Sequence, residues 1–437
     1  MKALILAGGV GSRMKGLTKD IPKPMLKVGS TPVLEHQIRL LARYGLTEII
    51  LCTGYLSNVI EEYFKDGSGF GVKIGYAKED EPLGSAGCLN LVRKELDDDF
   101  LIINGDIMLD LDLEKLVKYH EDKKADATLT IHPNDHPYDS DLLETDEQGR
   151  ITAFHPKPRP EDKYYQNLVN AGAYVLSKKI FAHIPGEGMT DLGRDVFPQM
   201  VAEGARVFGY NTPEYIKDMG TPERLEEVNH AYEQGIVSAH NLENKRPAIF
   251  LDRDGVINEE KDLLHTIEDF ELIDGSAEAV RKINRAGYLC IVITNQPVVA
   301  RGLCTIREVE LIHNKMETLL GRRGAKLDAI YYCPHHPDKG YPEEDTAYKI
   351  DCECRKPKIG MIMKAAREFN IDMDGSYMIG DSSRDILAGA NAHLTTVCVK
   401  TGHAGADGKY EIKPDYTYAS LLDAVESLLE GSSGQDI

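Results

Sequence analysis

The sequence predicts an α/β protein of two doubly wound domains, each built on a mainly parallel sheet, and three observations predict it. Short apolar runs alternate with amphipathic stretches along most of the chain, the pattern of strands interleaved with helices. The alternation breaks once, over residues 236–246 (IVSAHNLENKR), which are polar and lack periodicity. The polar and glycine-bearing motifs fall at the ends of apolar runs, and open α/β sheets bind ligands at strand tips. The 437 residues exceed one ordinary domain, so the expected layout is 1–235, a linker over 236–246, and 247–430.

In the first half, residues 3–7, 48–53, 72–78 and 100–104 read as strands, and 33–44 and 57–64 as helices, the former closed by Gly45. In the second half, residues 248–251, 288–293, 329–332 and 376–379 read as strands, and 276–286 and 306–320 as helices. There is no internal repeat of 20–50 residues. The tail after Leu429 (EGSSGQDI) is expected to be disordered on composition.

A net charge of −20 argues against nucleic acid or an anionic membrane as partner, so bound phosphates would need local cations and backbone N–H groups. No apolar run approaches the roughly 20 residues that cross a bilayer. The opening MKALILAGGVGSRM reads as a strand entering a glycine loop rather than a signal peptide. Cys52, Cys88, Cys290 and Cys398 sit in apolar contexts as buried thiols. Without a disulfide framework, the expected location is the cytoplasm. The number of subunits is left open, a homo-oligomer included.

After the first strand comes Gly8-Gly9-Val10-Gly11-Ser12-Arg13-Met14, whose glycines let backbone N–H groups approach an anion and whose Arg13 can fork onto phosphate oxygens. It fits neither the P-loop nor the dinucleotide fingerprint. In Pro22-Lys23-Pro24 the prolines stiffen the backbone around one lysine, which favours a fixed phosphate contact. Further along, Asp106 stands in IINGD at an expected strand tip and Asp218 in KDMGTPE.

LAGGVGSRM followed by DIPKPML resembles the sugar-1-phosphate nucleotidyltransferases, which couple a nucleoside triphosphate to a sugar 1-phosphate and release pyrophosphate. The resemblance implies that Gly8, Gly9, Gly11 and Arg13 cradle the triphosphate, Lys23 steadies the attacked α-phosphate, and Gly84 contacts the base. It further implies Asp106 and Asp218 as Mg²⁺ ligands, and Asn170 and Gly172 in the sugar pocket. Glu79 falls where relatives face the base edge; a carboxylate there can accept from guanine N–H groups, so GTP is favoured. One departure is Pro156 in Phe154-His155-Pro156-Lys157-Pro158, where relatives usually carry Glu. Lys157 can still meet the sugar phosphate.

In the second half, FLDRDGVIN (250–258) carries Asp252 and Asp254 off a strand end, with Gly255 turning the backbone. Two acids there suit a nucleophile beside a general acid/base, one of them also holding a cation. Downstream, TNQ (294–296), CRKP (354–357) and GDSSRD (380–385) follow in order. Together they resemble the haloacid dehalogenase-like phosphatases, a Rossmann-like family. The resemblance makes Asp252 the nucleophile and Asp254 the acid/base. Thr294 would hold phosphoryl oxygens and Lys356 would neutralise charge. Mg²⁺ would lie on Asp252, Asp254 and Asp381, and Asn295, Gln296, Arg355 and Lys356 would meet substrate.

Between those motifs, Cys333-Pro334-His335 and Cys352-Glu353-Cys354 bracket a loop too poor in apolar residues to bury a core. Three thiolates and one imidazole suit a closed, structural Zn²⁺ site whose binding energy folds the loop. With DRDGVIN, TNQ, ARG (300–302) and CRKP, this cluster resembles the heptose 1,7-bisphosphate 7-phosphatases; histidinol-phosphate phosphatases share the acid and zinc pattern. Pro297-Val298-Val299 departs from the family's usual loop.

The two halves fit one sequence of reactions. Removing the 7-phosphate of a heptose bisphosphate leaves a heptose 1-phosphate, which a nucleotidyltransferase could convert with GTP to GDP-heptose. The alternative is a mannose- or glucose-1-phosphate nucleotidyltransferase fused to another small-molecule phosphatase. A third reading is that one half keeps its fold as an inert module.

Overall fold

The structure, a computed structural model, describes residues 1–9, 14 and 16–432. Residues 433–437, most of the tail expected to be disordered, lie outside the described residues. The chain divides into two compact units, the first of residues 1–132, 143–154 and 170–244 and the second of 133–142, 155–169 and 245 onwards. Among the described residues, no helix is long and apolar enough to cross a membrane.

In the first unit, the strands Asp99–Asn104, Ala3–Ala7, Glu48–Thr53 and Lys73–Lys78 lie side by side and parallel. Ala3, Leu4, Ile5 and Ala7 are fully buried, as expected of a central strand covered on both faces. The Val33–Arg43 helix lays Leu34, Ile38 and Leu41 on this sheet. Chain reversal at Gly45, where φ is +71°, needs the left-handed conformation glycine tolerates. Beyond Asp99–Asn104 the sheet turns mixed, because Val169–Ser177 runs antiparallel to it. An apolar run marks a buried strand but carries no direction, so a purely parallel sheet could not be distinguished from this one by periodicity. A separate ribbon pairs Ile107–Asp110 antiparallel with Tyr215–Asp218, setting Asp218 opposite Ile107.

The second unit has a six-stranded, all-parallel sheet ordered Ala329–Cys333, Leu289–Asn295, Arg246–Leu251, Ile371–Gly380, Thr395–Val399, Tyr416–Tyr418. The chain leaves Arg246–Leu251 towards one neighbour and returns to the other, so a crevice opens at that strand's C-terminal tip. Ile371–Gly380 begins before the expected residue 376 because Arg246 and Pro247 pair with Ile371 and Asp372 ahead of a register shift. The stretch read as a linker holds a short helix, Ile236–Ala239, and its last residue opens the Arg246–Leu251 strand.

Residues 133–142 and 155–169 come from the first half of the sequence yet pack within this unit. Tyr165 donates its N–H to Thr318 Oγ1 (3.1 Å), Asn167 to Glu317 Oε2 (3.4 Å), and Arg322 reaches the Glu161 carbonyl (2.8 Å). These partners sit on or just beyond the Ile306–Gly321 helix, whose start is fixed by a Thr305/Glu308 capping box.

Candidate active sites

In the first unit a cavity of about 440 Å³ is lined by Gly8, Gly9, Lys23, Glu79, Gly84 and Asp106, among others. Lys23 lies in a short 3-10 turn behind Pro22, is 7% exposed, and sets its Nζ 2.5 Å from Asp106 Oδ2. The ribbon register brings Asp218 alongside, and the Met219 N–H donates to the Asp106 carbonyl at 3.0 Å. Burial pushes the Asp218 carboxyl up, but the bond and charge of Arg224, whose Nη1 is 2.5 Å away, outweigh it and hold the group below its usual range. Two carboxylates set side by side by the ribbon suit a divalent cation.

Glu79 accepts the Leu83 N–H at Oε2 (2.9 Å), and burial raises its pKa. A Cβ on Gly8 would lie 2.5 Å from Glu79 Oε1, so a larger residue would push that carboxylate aside. Gly84, at φ +78°, similarly lies against the Thr190 backbone. Asn170 accepts the Gly172 N–H (3.1 Å), and Gly172 abuts Asn104, which lines the cavity. Lys157 does not line the cavity; it falls in the second unit, its N–H on Asp141 Oδ1 at 3.0 Å. Gly11 and Arg13 lie outside the described residues. The sequence reading missed Asp191, which also lines the cavity and accepts from Ser85 Oγ at 2.8 Å. Its local signal is that of a helix cap, a role it also fills by accepting from Gly193 and Arg194 N–H.

In the second unit, the tips of Arg246–Leu251, Leu289–Asn295 and Ile371–Gly380 surround a cavity of about 390 Å³. Lys356 Nζ lies 2.9 Å from Asp252 Oδ1 and 2.7 Å from Asp385 Oδ1, and is 2% exposed. Asn295 holds that lysine's backbone by exchanging two bonds with it, Nδ2 to the Lys356 carbonyl and the Lys356 N–H to Oδ1, each 3.0 Å. Gln296 donates to Thr294 Oγ1 (3.0 Å) and Asp254 Oδ2 (2.8 Å).

The carboxylates of Asp252, Asp381 and Asp385 offer oxygens within 4.8 Å of one another. Burial and then Asp385 push Asp252 up to about 7; burial, Asp385 and Asp252 push Asp381 up to about 8. Such crowded negative charge fits a divalent cation. Asp254 is not in this trio; its carboxylate is turned onto Arg253, Asn258 and Gln296. Gly255 and Gly402 crowd Asp381, where an added Cβ would come within 2.4 and 2.2 Å of its Oδ2. Arg301, Arg355, Arg384 and Lys409 line the same cavity. Neither Arg384, although it lies within GDSSRD, nor Lys409 was singled out in the sequence, because nothing local marks a cation as facing the cavity.

Cys333 Sγ, His335 Nδ1, Cys352 Sγ and Cys354 Sγ cluster, with Cys354 Sγ 3.2 Å from Cys333, 3.1 Å from Cys352 and 3.3 Å from His335. Hydrogen bonds from Cys333 and its neighbours lower Cys354 to about 5, so a thiolate is available to a metal. His336 points elsewhere, its Nδ1 accepting the Asp338 N–H at 3.2 Å.

Comparison with known proteins matches the two halves of the sequence to two families. The nucleotidyl transferase family model matches residues 2–235, and the HAD-hydrolase-like model matches residues 353–424. The chain is 35% identical over 248 residues to mannose-1-phosphate guanylyltransferase of Mycobacterium tuberculosis, covering 56% of this chain and 68% of that one. It is 36% identical over 225 residues to UTP–glucose-1-phosphate uridylyltransferase of Synechocystis, covering 48% of this chain and 58% of that one. It is 42% identical over 188 residues to D-glycero-beta-D-manno-heptose-1,7-bisphosphate 7-phosphatase of Pasteurella multocida, covering 43% of this chain and 98% of that one. The chain therefore belongs to the nucleotidyl transferase family through residues 2–235 and, through its C-terminal part, to the HAD-like phosphatases that include the Pasteurella enzyme: it is a fusion of the two.

Proposed function

We propose that the chain is a bifunctional enzyme of heptose-nucleotide biosynthesis. Its C-terminal half removes the 7-phosphate of D-glycero-D-manno-heptose 1,7-bisphosphate. Its N-terminal half transfers GMP from GTP to the resulting heptose 1-phosphate, giving GDP-heptose and pyrophosphate.

The observation that carries the reading is the phosphatase cavity, where the carboxylates of the reacting end share one space with Arg301, Arg355, Arg384 and Lys409. Those cations crowd each other: burial and then Arg384 lower Lys409, and Arg384 and Arg301 act on Arg355 in the same sense. A group of four cations facing one cavity favours a substrate with a second phosphate beyond the one cleaved.

In the phosphatase, an Asp252 oxygen attacks phosphorus while Asp254 protonates the leaving oxygen. Asp254 then takes a proton from the water that releases phosphate from Asp252. Lys356, 2.9 Å from Asp252, cancels charge as anion meets anion, and Thr294 steadies the phosphoryl oxygens. Mg²⁺ held by Asp252 and Asp381 would supply further charge cancellation. In the transferase, Lys23 would steady the α-phosphate as the sugar phosphate attacks in line, Arg13 would help cradle the triphosphate, and Asp106 and Asp218 would hold an Mg²⁺ that supplies further charge cancellation. Glu79 would accept from guanine N–H groups. Cys333, His335, Cys352 and Cys354 would hold a structural Zn²⁺.

The test is incubation of the full chain with each anomer of the bisphosphate, Mg²⁺ and each nucleoside triphosphate in turn, with products identified by mass. The expected result is free phosphate in every mixture and GDP-heptose with GTP. Pyrophosphate release with mannose 1-phosphate but not heptose 1-phosphate would favour the alternative fusion.

A further inference from the structure

Arg253, the residue between the two reacting acids, is 0% exposed, and its guanidinium is directed at Asp254 rather than at solvent. Nη2 donates to Asp254 Oδ1 and Oδ2 at 2.8 and 2.9 Å, and Nε to Oδ1 at 3.2 Å. The remaining arm, Nη1, donates to Nε2 of His313 at 3.3 Å. His313 is itself 5% exposed on the Ile306–Gly321 helix, with its ring edge-on to Tyr332 at 5.2 Å. As an acceptor at Nε2 it must be neutral, with its proton on Nδ1. Asn258 and Gln296 complete the cradle at 2.9 and 2.8 Å. Every donor to the Asp254 carboxylate therefore sits on a buried or half-buried group with a second anchor of its own.

Burying a guanidinium is costly, and an apolar side chain would fill the same space without that penalty. Packing therefore does not explain the arginine. Asp254 stands three residues past the strand end, inside a turn closed by the Ile257 N–H on the Arg253 carbonyl (2.8 Å) and just before Gly255 at φ +75°.

We propose that Arg253, oriented by neutral His313, is the positioning residue that fixes the Asp254 carboxyl against the leaving-group oxygen. The proposal rests on the reading of Asp254 as acid/base. In the first step a bond forms from an Asp252 oxygen to phosphorus, the bond from phosphorus to the ester oxygen breaks, and the Asp254 proton goes to that oxygen. In the second, water oxygen bonds to phosphorus, the bond to Asp252 breaks, and a water proton returns to Asp254. Arg253 touches neither substrate nor phosphorus.

A leaving group that needs no proton separates positioning from general damage. The full chain with Mg²⁺ is mixed rapidly with a sugar phosphate, whose alkoxide needs protonation, or with p-nitrophenyl phosphate, whose phenolate does not. In Arg253→Met and His313→Leu the first turnover of the sugar phosphate slows about 10- to 100-fold, the range of a misplaced general acid. The p-nitrophenolate burst stays within about threefold of the unaltered protein, and the later turnovers slow because the second step still needs Asp254. His313→Gln, which keeps an acceptor for Nη1, restores most of the sugar-phosphate rate. Equal slowing of both substrates, or of neither, overturns the proposal. Asp254→Asn serves as the reference: if it fails to discriminate between the two substrates, the acid/base reading falls and takes the proposal with it. If it discriminates and the Arg253 and His313 variants do not, only the positioning role is wrong.

Discussion

Glu317 is a buried carboxyl with no counter-charge among the described residues, and replacing it with glutamine should stabilise the second unit in a pH-dependent way. The side chain is 9% exposed and accepts the Asn167 N–H at 3.4 Å. Burial pushes its pKa from 4.5 up to about 8, against the smaller opposing effect of that bond. An acid raised on folding costs nothing below its unfolded pKa, where both states are protonated. As pH climbs from about 4.5 towards 8, the unfolded chain ionises while the folded one stays neutral, so stability is progressively lost. At about 1.4 kcal/mol per pH unit the loss at pH 7 is about 3 kcal/mol. Glu317→Gln keeps the acceptor oxygen and cannot ionise, which removes the loss. For a unit of this size that is roughly 6 °C or more on the melting transition near neutral pH, shrinking towards zero near pH 4.5. Differential scanning calorimetry at pH 4.5, 6 and 8 reads it directly. A shift equal at all three pH values, or a lower transition at pH 8, would refute the reasoning.

Three further outcomes follow from the sites. Lys356→Met leaves Asp252 and Asp385 facing each other without their shared cation, and phosphate release should fall at least about 10²-fold while pyrophosphate release continues. Asp218→Asn should do the reverse, abolishing pyrophosphate release measured by a coupled assay and sparing the phosphatase. Stripping metal with a strong chelator should release about one equivalent of zinc and open residues 334–351 to protease, detected by mass spectrometry of the nicked chain. Retention of an intact, protected loop in metal-free protein would contradict the metal-folded reading.

What could be read from the sequence was what is local. Ala3–Ala7 and the apolar run 248–251 announced themselves as buried strands, and the strands found are Ala3–Ala7 and Arg246–Leu251. The acids of FLDRDG and IINGD followed as residues at strand tips. The four metal-cluster residues were legible because their spacing and the loop's poverty in apolar side chains are both written in one short stretch. Roles conferred by distant chain were silent. Arg253 reads as a spacer between two acids until His313, sixty positions on, encloses it. Asp191 reads as a cap until Ser85 meets it. Lys157 lies in a familiar motif, yet its surroundings belong to packing that no periodicity encodes. Strand direction is likewise a property of the route the chain takes, which is why the mixed character of the first sheet emerged only with its pairing.

The two excursions, 133–142 and 155–169, change what a minimal phosphatase would be. A clone started at Lys245 would look complete by motif, holding every reacting group from Asp252 to Asp385. It would nonetheless lack pieces of its own body. The helix face that now meets Tyr165 and Asn167 would become wet, and Glu317 could ionise freely. Separating the activities is therefore better done by single-residue knockouts in the intact polypeptide than by dissection.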